Sequence, residues 1–385
     1  METLYTATFT IVLLAVAAAM LAYYLKISIA LIEIVVGIIG GYLLNRWLPA
    51  YHLDLNSAWF TMLASVSALM LTFLAGLELD AEHIKQEWRT ALVIGLASFI
   101  TPFLACGAIA YYGFAWSLQA SLLTGLVLST TSVAIVYGSL LEGGLTETDY
   151  GKTLLAICFV TDFCTVMTLG LIFTPFTFYT ILFFISVLFI CAILPVLCKI
   201  LFAKFGRKPT AFEFKFILLA LILLGIFAIS VGYEPVLPAF FVGIALSNIV
   251  GNDSQLVKSL QTTTFGLLTP FYFIRAGFLV SVPVLLTSSL PILIFLAAKI
   301  FFKGIGISPC ISFMNAFKPE RMYTLLLMST GLAFGSIAAL FGLTHHIINA
   351  NQYSLLIAVV VLSAIVPAVF ANLFFFPKKL IQNNH

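Results

Sequence analysis

Charge is what this chain has least of. Lysine and arginine total 18 and aspartate and glutamate 15 among 385 residues, so charged side chains make up only 9%. A soluble domain carries roughly 25%. There is no basic stripe, no zinc-type cluster of cysteine and histidine, no GxGxxG loop and no Walker loop. Nucleic-acid binding and nucleotide hydrolysis therefore have no sequence support. No nucleophile–base pair or metal constellation stands out either, so the chain is not expected to be an enzyme and no cofactor is expected. The six cysteines (Cys106, Cys158, Cys164, Cys191, Cys198 and Cys310) form no CxxC pair and lie in or beside apolar runs. A thiol in that setting packs as a small apolar group. Ahead of its first apolar run the chain has Glu2 and no lysine or arginine, so the basic region of a signal peptide is missing. Residues 6–24 are read as a retained first helix.

Apolar residues are abundant: 62% of the chain is hydrophobic and the mean hydropathy is +1.15. Windows long enough to cross a bilayer as helices fall at 6–24, 27–45, 57–78, 91–113, 119–141, 153–174, 177–198, 213–231, 235–249, 263–282, 289–307, 322–343 and 353–376. The fold class is thus an all-α polytopic membrane protein of about thirteen transmembrane helices. No soluble domain is expected after Phe376.

The loop charges test that count. Thirteen spans place alternate loops on two sides of the membrane. One side collects 14 of the 18 basic residues, three (Arg275, Lys299 and Lys303) fall inside spans, and the other side has only Arg46. A missed or invented span would scramble this segregation. The positive-inside rule then puts the N-terminus outside and the C-terminus in the cytoplasm.

Two segments match at an offset of 200 residues. Thr124-Gly-Leu-Val-Leu-Ser-Thr130 matches Thr324-Leu-Leu-Leu-Met-Ser-Thr330, and upstream Leu74-Ala-Gly-Leu77 matches Arg275-Ala-Gly-Phe278 at nearly the same offset. The first pair lies in spans five and twelve, an odd number of crossings apart, so the two copies run in opposite directions. That is an inverted-topology repeat, a plan in which interrupted helices cross near the midplane and their freed ends form an ion site. Span five has Ser129-Thr130-Thr131-Ser132 at mid-depth, and span twelve has Ser329-Thr330-Gly331. Hydroxyls bonding back to their own helix are the alternative for either cluster alone. Two clusters at symmetry-related positions favour two interrupted helices.

Charges inside spans mark candidate sites. Asp162 is the only charged residue of 153–174, where a carboxylate costs roughly 2.5–3.5 kcal/mol. Such a group needs a partner or a wet cavity, and it commonly handles ions. Lys303 and Lys299 are one helical turn apart in span eleven and share a face, so both can look into one cavity. Lys303 could instead snorkel to the interface. Glu33 in span two, Arg275 in span ten and Glu78 at the end of span three are secondary candidates, with Arg275 expected to pair with Glu33 or Glu78. His345 and His346 follow span twelve and titrate near neutral pH.

Taken together, Phe73-Leu-Ala-Gly-Leu-Glu-Leu-Asp80, Leu128-Ser-Thr-Thr-Ser-Val-Ala134, Val160-Thr-Asp162 and the segment around Lys303 resemble the monovalent cation:proton antiporter superfamily, in the sodium/proton exchanger and potassium-efflux branch. The resemblance covers nearly the whole chain. It implies thirteen helices, a homodimer, and one transporter domain over 1–385 in which a core (about 91–174 and 289–376) moves against a dimerisation scaffold (about 1–78 and 177–282). It also implies that Asp162 binds cation and proton, that Thr131 and Ser132 mark the first helix break, and that Lys303 faces the crossing. The sequence departs from the family at Thr161, where many electrogenic members have aspartate and electroneutral ones asparagine.

The residue chemistry leads to the same mechanism. A buried carboxylate can exchange a proton for an alkali cation, with Thr161, Thr130, Thr131, Ser132 and freed carbonyls completing an oxygen shell. Lys303 and Lys299 would balance charge, opposite Ser329, Thr330 and Gly331 of the second break. The expected partners are sodium, potassium or lithium ions, protons and the lipid bilayer. A channel-like or sensory protein on the same scaffold, or a sodium-coupled organic-anion symporter, are the alternatives.

Overall fold

The computed structural model describes residues 2–25, 29–47, 57–77, 81–142, 145, 148–172, 178–206, 211–230, 235–251, 253–313 and 320–377. Among the described residues all regular structure is helical. In chain order the helices are α1 (Glu2–Leu25), α2 (Ile29–Trp47), α3 (Ala58–Leu77), α4 (Ala81–Ala108), α5 (Leu118–Ser129), α6 (Val133–Glu142), α7 (Asp149–Ile172), α8 (Phe178–Phe205) and α9 (Phe212–Ser230). They continue with α10 (Val236–Leu246), α11 (Ser254–Thr263), α12 (Thr269–Phe278), α13 (Val282–Thr287), α14 (Ser289–Phe313), α15 (Arg321–Met328), α16 (Ala333–Thr344) and α17 (Ala350–Phe374). Single π turns at Ile109–Gly113, Ser247–Gly251 and Thr264–Leu268 extend α4 and α10 and join α11 to α12.

Each of the thirteen apolar windows is occupied by helix. Nine are filled by helices of at least 18 residues with the apolar character of a membrane span, among the described residues. The other four, spans two, five, nine and ten, are shorter or interrupted, and span twelve, counted among the nine, is broken as well. Span five is split into α5 and α6, and span twelve into α15 and α16. Span ten is built as α11, a π turn and α12, with a polar first half that the hydropathy window did not include. Asp253 starts that half by accepting hydrogen bonds from the Gln255 and Leu256 amides at 3.2 and 3.1 Å. The short α13 has no counterpart among the expected spans.

The chain forms two compact units. The first comprises Met1–Ile11, Leu53–Ala81 and Val166–Arg275. Its core holds Met70, Phe73, Leu221, Val242 and Leu246, and α3 packs along α10. That packing is close because glycine faces glycine: a Cβ on Gly76 would meet the Phe240 carbonyl oxygen and stand 3.1 Å from Gly243 Cα. Leu188, Phe189 and Val196 of α8 are exposed, as apolar side chains facing lipid must be.

The second unit comprises Val12–His52, Glu82–Thr165 and Ala276–His385. Here α5 packs against α16, and α6 against α15. The α5–α16 pair is antiparallel, because Gly342 abuts Leu123, Gly335 lies near Val127, and Gly331 lies near Thr130. This is the inverted repeat in three dimensions. The Leu-Ala-Gly echo has a structural reason as well. Gly277 would place a Cβ 2.8 Å from Gly37 Cα, so the second copy needs its glycine for a close helix crossing, as Gly76 does.

Long-range hydrogen bonds agree with the alternation of loops. Tyr150 and Thr324 hydroxyls lie 2.9 Å apart, and Asn372 receives a bond from Tyr323 and donates one to Ser139. All of these residues belong to helix ends on the lysine-rich side. At the opposite ends, the Ser281 amide donates to Ser354 Oγ at 2.8 Å and Tyr353 OH to the Ala276 carbonyl at 3.0 Å.

The glycine contacts are testable. Gly76→Ala should lower the apparent melting temperature of the purified protein, with an overpacking cost of roughly 1–3 kcal/mol. Gly266→Ala, where a Cβ has nothing within 4 Å, should leave it unchanged. Equal melting of the two variants would remove close packing as the reason for Gly76.

Candidate functional site

Two helices stop and restart inside the second unit, and the stops touch. The first break is set by Thr130, whose extended backbone (φ −61°, ψ 151°) ends α5 three residues before α6 begins. The second runs from Ser329 to Leu332, where Leu332 (φ −145°, ψ −76°) precedes α16. Side chains substitute for the lost helical bonds. Ser129 and Thr130 donate to the Leu126 and Val127 carbonyls at 2.8 and 2.9 Å. Ser329 and Thr330 donate to the Leu325 and Leu327 carbonyls, both at 2.7 Å. The matched Ser-Thr pairs thus perform the same task in both halves. The back-bonding alternative and the interrupted-helix reading turn out to be one arrangement.

Lys303 joins the breaks. Its Nζ donates to Thr131 Oγ1 at 2.5 Å and to the Met328 carbonyl at 2.7 Å, and Thr131 Oγ1 itself donates to that carbonyl at 3.0 Å. Met328 is the last residue of α15, so an ammonium sits on the negative end of a half-helix. Lys303 is fully buried, which rules out snorkelling. Lys299, also fully buried, faces the second break instead. Its Nζ donates to Ser363 Oγ at 3.1 Å, and Ser363 Oγ donates to the Val360 carbonyl and, at 3.4 Å, to that of Gly331. Gly331 is glycine of necessity, since a Cβ would collide with Lys299 Nζ and stand 2.9 Å from Thr130 Oγ1.

Asp162 lies midway along α7 and is 3% exposed. Its carboxylate is within electrostatic range of Lys303 and of Cys158. Cys158, one turn earlier, places its Sγ 3.6 Å from Met328 Sδ, so this face of α7 packs on the second break. Thr161 is fully buried and donates to the Ile157 carbonyl at 3.0 Å. Ser132 Oγ is buried and makes no hydrogen bond among the described residues, leaving it as an available oxygen at the first break. Thr131, by contrast, is held by Lys303.

The secondary candidates among the described residues lie on other helices. Glu33 is buried in α2 within the second unit. Arg275 is buried at the end of α12 in the first, its guanidinium 6.0 Å from the Phe60 ring centroid. Glu78 lies outside the described residues. His345 stacks on Phe341 at 4.1 Å, its Nδ1 3.1 Å from the Phe341 carbonyl. Sequence reasoning missed Ser363 and Met328. The repeat carried a signal for Ser363, which follows Asp162 by 201 residues and so takes the matching place in α17. Met328 contributes a main-chain carbonyl, which side-chain chemistry cannot reveal.

Two interrupted helices, two buried lysines and one buried acid are thus gathered within the second unit. Residues 10–375 match the transmembrane sodium/hydrogen exchanger family. The chain belongs to that family. It is a multi-pass membrane protein. A curated relative, the probable Na(+)/H(+) antiporter 3 of Methanocaldococcus jannaschii, is 30% identical over 228 residues, 56% of this chain and 58% of that protein. The Na(+)/H(+) antiporter of Enterococcus hirae is 24% identical over 83% of this chain and 85% of its own. The Na(+)/H(+)-K(+) antiporter GerN of Bacillus cereus is 25% identical, with 63% of its length matched. Several relatives are therefore spanned for only about three-fifths of their length. Among solved structures, the sodium proton antiporter MjNhaP1 of Methanocaldococcus jannaschii at pH 8 superposes with a TM-score of 0.73 over 97% of this chain and all of that one, at 16% identity. The exchanger fold is therefore shared with little sequence in common.

Removing the Lys303 ammonium strands the Met328 carbonyl and the Thr131 hydroxyl. Lys303→Ala should cost roughly 2–3 kcal/mol, as for a buried hydrogen bond to a charged group, and shift the pH profile of transport. Unchanged melting and an unchanged profile would take Lys303 out of the site.

Proposed function

We propose that this chain is a secondary active antiporter that exchanges a monovalent cation for protons by alternating access. The observation that carries the reading is Asp162, the only acid of its span, buried and within electrostatic range of the Lys303 ammonium that ties the two helix breaks. Cation and proton compete for its carboxylate. With the cation bound, Thr161, Thr130 and Ser132 supply neutral oxygens, as hard ions require. With the site empty, Lys303 and the positive N-terminal ends of α6 and α16 balance the ionised carboxylate.

Sodium is the favoured ion, because relatives bear the names of sodium/proton antiporters. Potassium stands beside it on the name of the Bacillus cereus relative, and lithium is the smaller competitor. Residues 91–174 and 289–376 form the moving core in this proposal, and 1–78 and 177–282 the scaffold of a homodimer. The protein would reside in the cell (inner) membrane, with the N-terminus outside and the C-terminus cytoplasmic, and serve pH homeostasis.

The test is exchange in sealed proteoliposomes with an internal pH dye, using sodium, lithium and potassium in turn. Asp162→Asn should insert in the membrane normally and lose cation-driven proton movement. Exchange persisting in that variant would sink the proposal. Competition also fixes a pH dependence. Below the carboxylate's pKa, lowering pH by one unit raises the apparent KM for the cation about tenfold, because proton and cation exclude each other. A KM indifferent to pH across that range would rule out a shared site.

A further inference from the structure

Arg46 is the one basic residue on its side of the membrane by the loop alternation, and no step of exchange uses it. Selection keeps arginine and lysine out of such loops, so a retained arginine needs a reason. Among the described residues it has no hydrogen bond or ion pair. It lines a pocket of about 450 Å³ together with Gly41 and Tyr42 of α2 and with residues 278–283.

The far wall of that pocket is held in place. The Val280 amide donates to the Gly277 carbonyl at 3.0 Å, the Ser281 amide to Ser354 Oγ at 2.8 Å, and Tyr353 OH to the Ala276 carbonyl at 3.0 Å. Gly41 lets the wall approach α2, since a Cβ there would stand 3.3 Å from Phe278 Cα. Tyr42 and Trp47 are exposed at the end of α2, the depth at which amphipathic aromatics settle between lipid tails and water. The opening is thus a recess of mixed polar and apolar lining at headgroup level, with a guanidinium at its rim. Its volume suits a small polar headgroup.

We propose that this pocket binds the phosphate of an anionic phospholipid headgroup, with Arg46 as its anchor and the Phe278–Pro283 turn against its glycerol and acyl stems. A planar guanidinium pairs with phosphate oxygens two at a time. The Phe278, Leu279 and Val282 side chains in the lining give a lipid an advantage over inorganic phosphate, and a zwitterionic headgroup brings a cation that would compete with Arg46. The proposal rests on the membrane-spanning fold and is independent of the exchange chemistry.

The test uses the purified full chain in neutral detergent. Native mass spectrometry counts bound phosphatidylglycerol on the wild type, Arg46→Gln and Arg46→Lys, with phosphatidylcholine and inorganic phosphate as competitors. The wild type should bind one more phosphatidylglycerol per chain than Arg46→Gln, whose affinity at this site falls about fivefold. Arg46→Lys should fall between them, and neither competitor should displace the extra lipid. Equal lipid counts in wild type and Arg46→Gln would overturn the proposal. Displacement by phosphatidylcholine would overturn the choice of an anionic headgroup, and displacement by inorganic phosphate the assignment to a lipid. Arg46 is exposed, so the Gln variant is expected to fold, and a melting temperature equal to that of the wild type verifies that it has.

Discussion

The Lys303 ammonium, bonded to the last carbonyl of α15 and to Thr131 in the facing break, is the contact on which the rest of the site depends. A helix that stops inside a bilayer leaves carbonyls without partners, and lipid offers none. A cation at that end is worth up to about 2 kcal/mol in a buried setting. The inverted halves meet this need differently. At the end of α15 a lysine does it, while the residue 200 positions before Lys303 is Phe103, and the end of α5 relies on the Ser129 and Thr130 hydroxyls. The same inequality holds at α7 and α17, where Asp162 is matched by the neutral Ser363. One half therefore carries the acid and the other the bases, and their charges meet at the crossing.

That arrangement constrains the surrounding packing. The two breaks approach closely only because Gly331 has no side chain to displace Lys299 and Thr130. The helices flanking the crossing are held by contacts that span the repeat, such as Tyr150 to Thr324 and Asn372 to Ser139. Glycine pairs at Gly76–Gly243 and Gly37–Gly277 set helix crossings elsewhere in the two units. Small residues do this work in a membrane because burial of apolar surface gives helices no reason to associate in lipid.

Most of the fold was legible in the sequence. Spans appear as apolar windows because lipid forbids charge, and their number appears as segregated lysines. Both helix breaks were visible because hydroxyls must satisfy freed carbonyls, and the inverted repeat placed them opposite each other. The legible part of the site was its charged part, since Asp162, Lys299 and Lys303 are conspicuous in apolar surroundings. What sequence did not reveal was made by the backbone or by neutral groups. The Met328 carbonyl has no side-chain signature, Ser363 is marked only by its offset from Asp162, and the π turns depend on packing. Nor did adjacency in α14 foretell that Lys303 would tie the two breaks together while Lys299 reaches Ser363 of α17.

The central claim is that one carboxylate binds cation and proton in turn. Proton release on cation binding tests it without any need for transport. In unbuffered detergent solution with a pH-sensitive dye, adding sodium to the purified protein near the site's pKa should release up to one proton per site, and Asp162→Asn should release none. Sodium binding that releases no proton from the wild type would contradict the account.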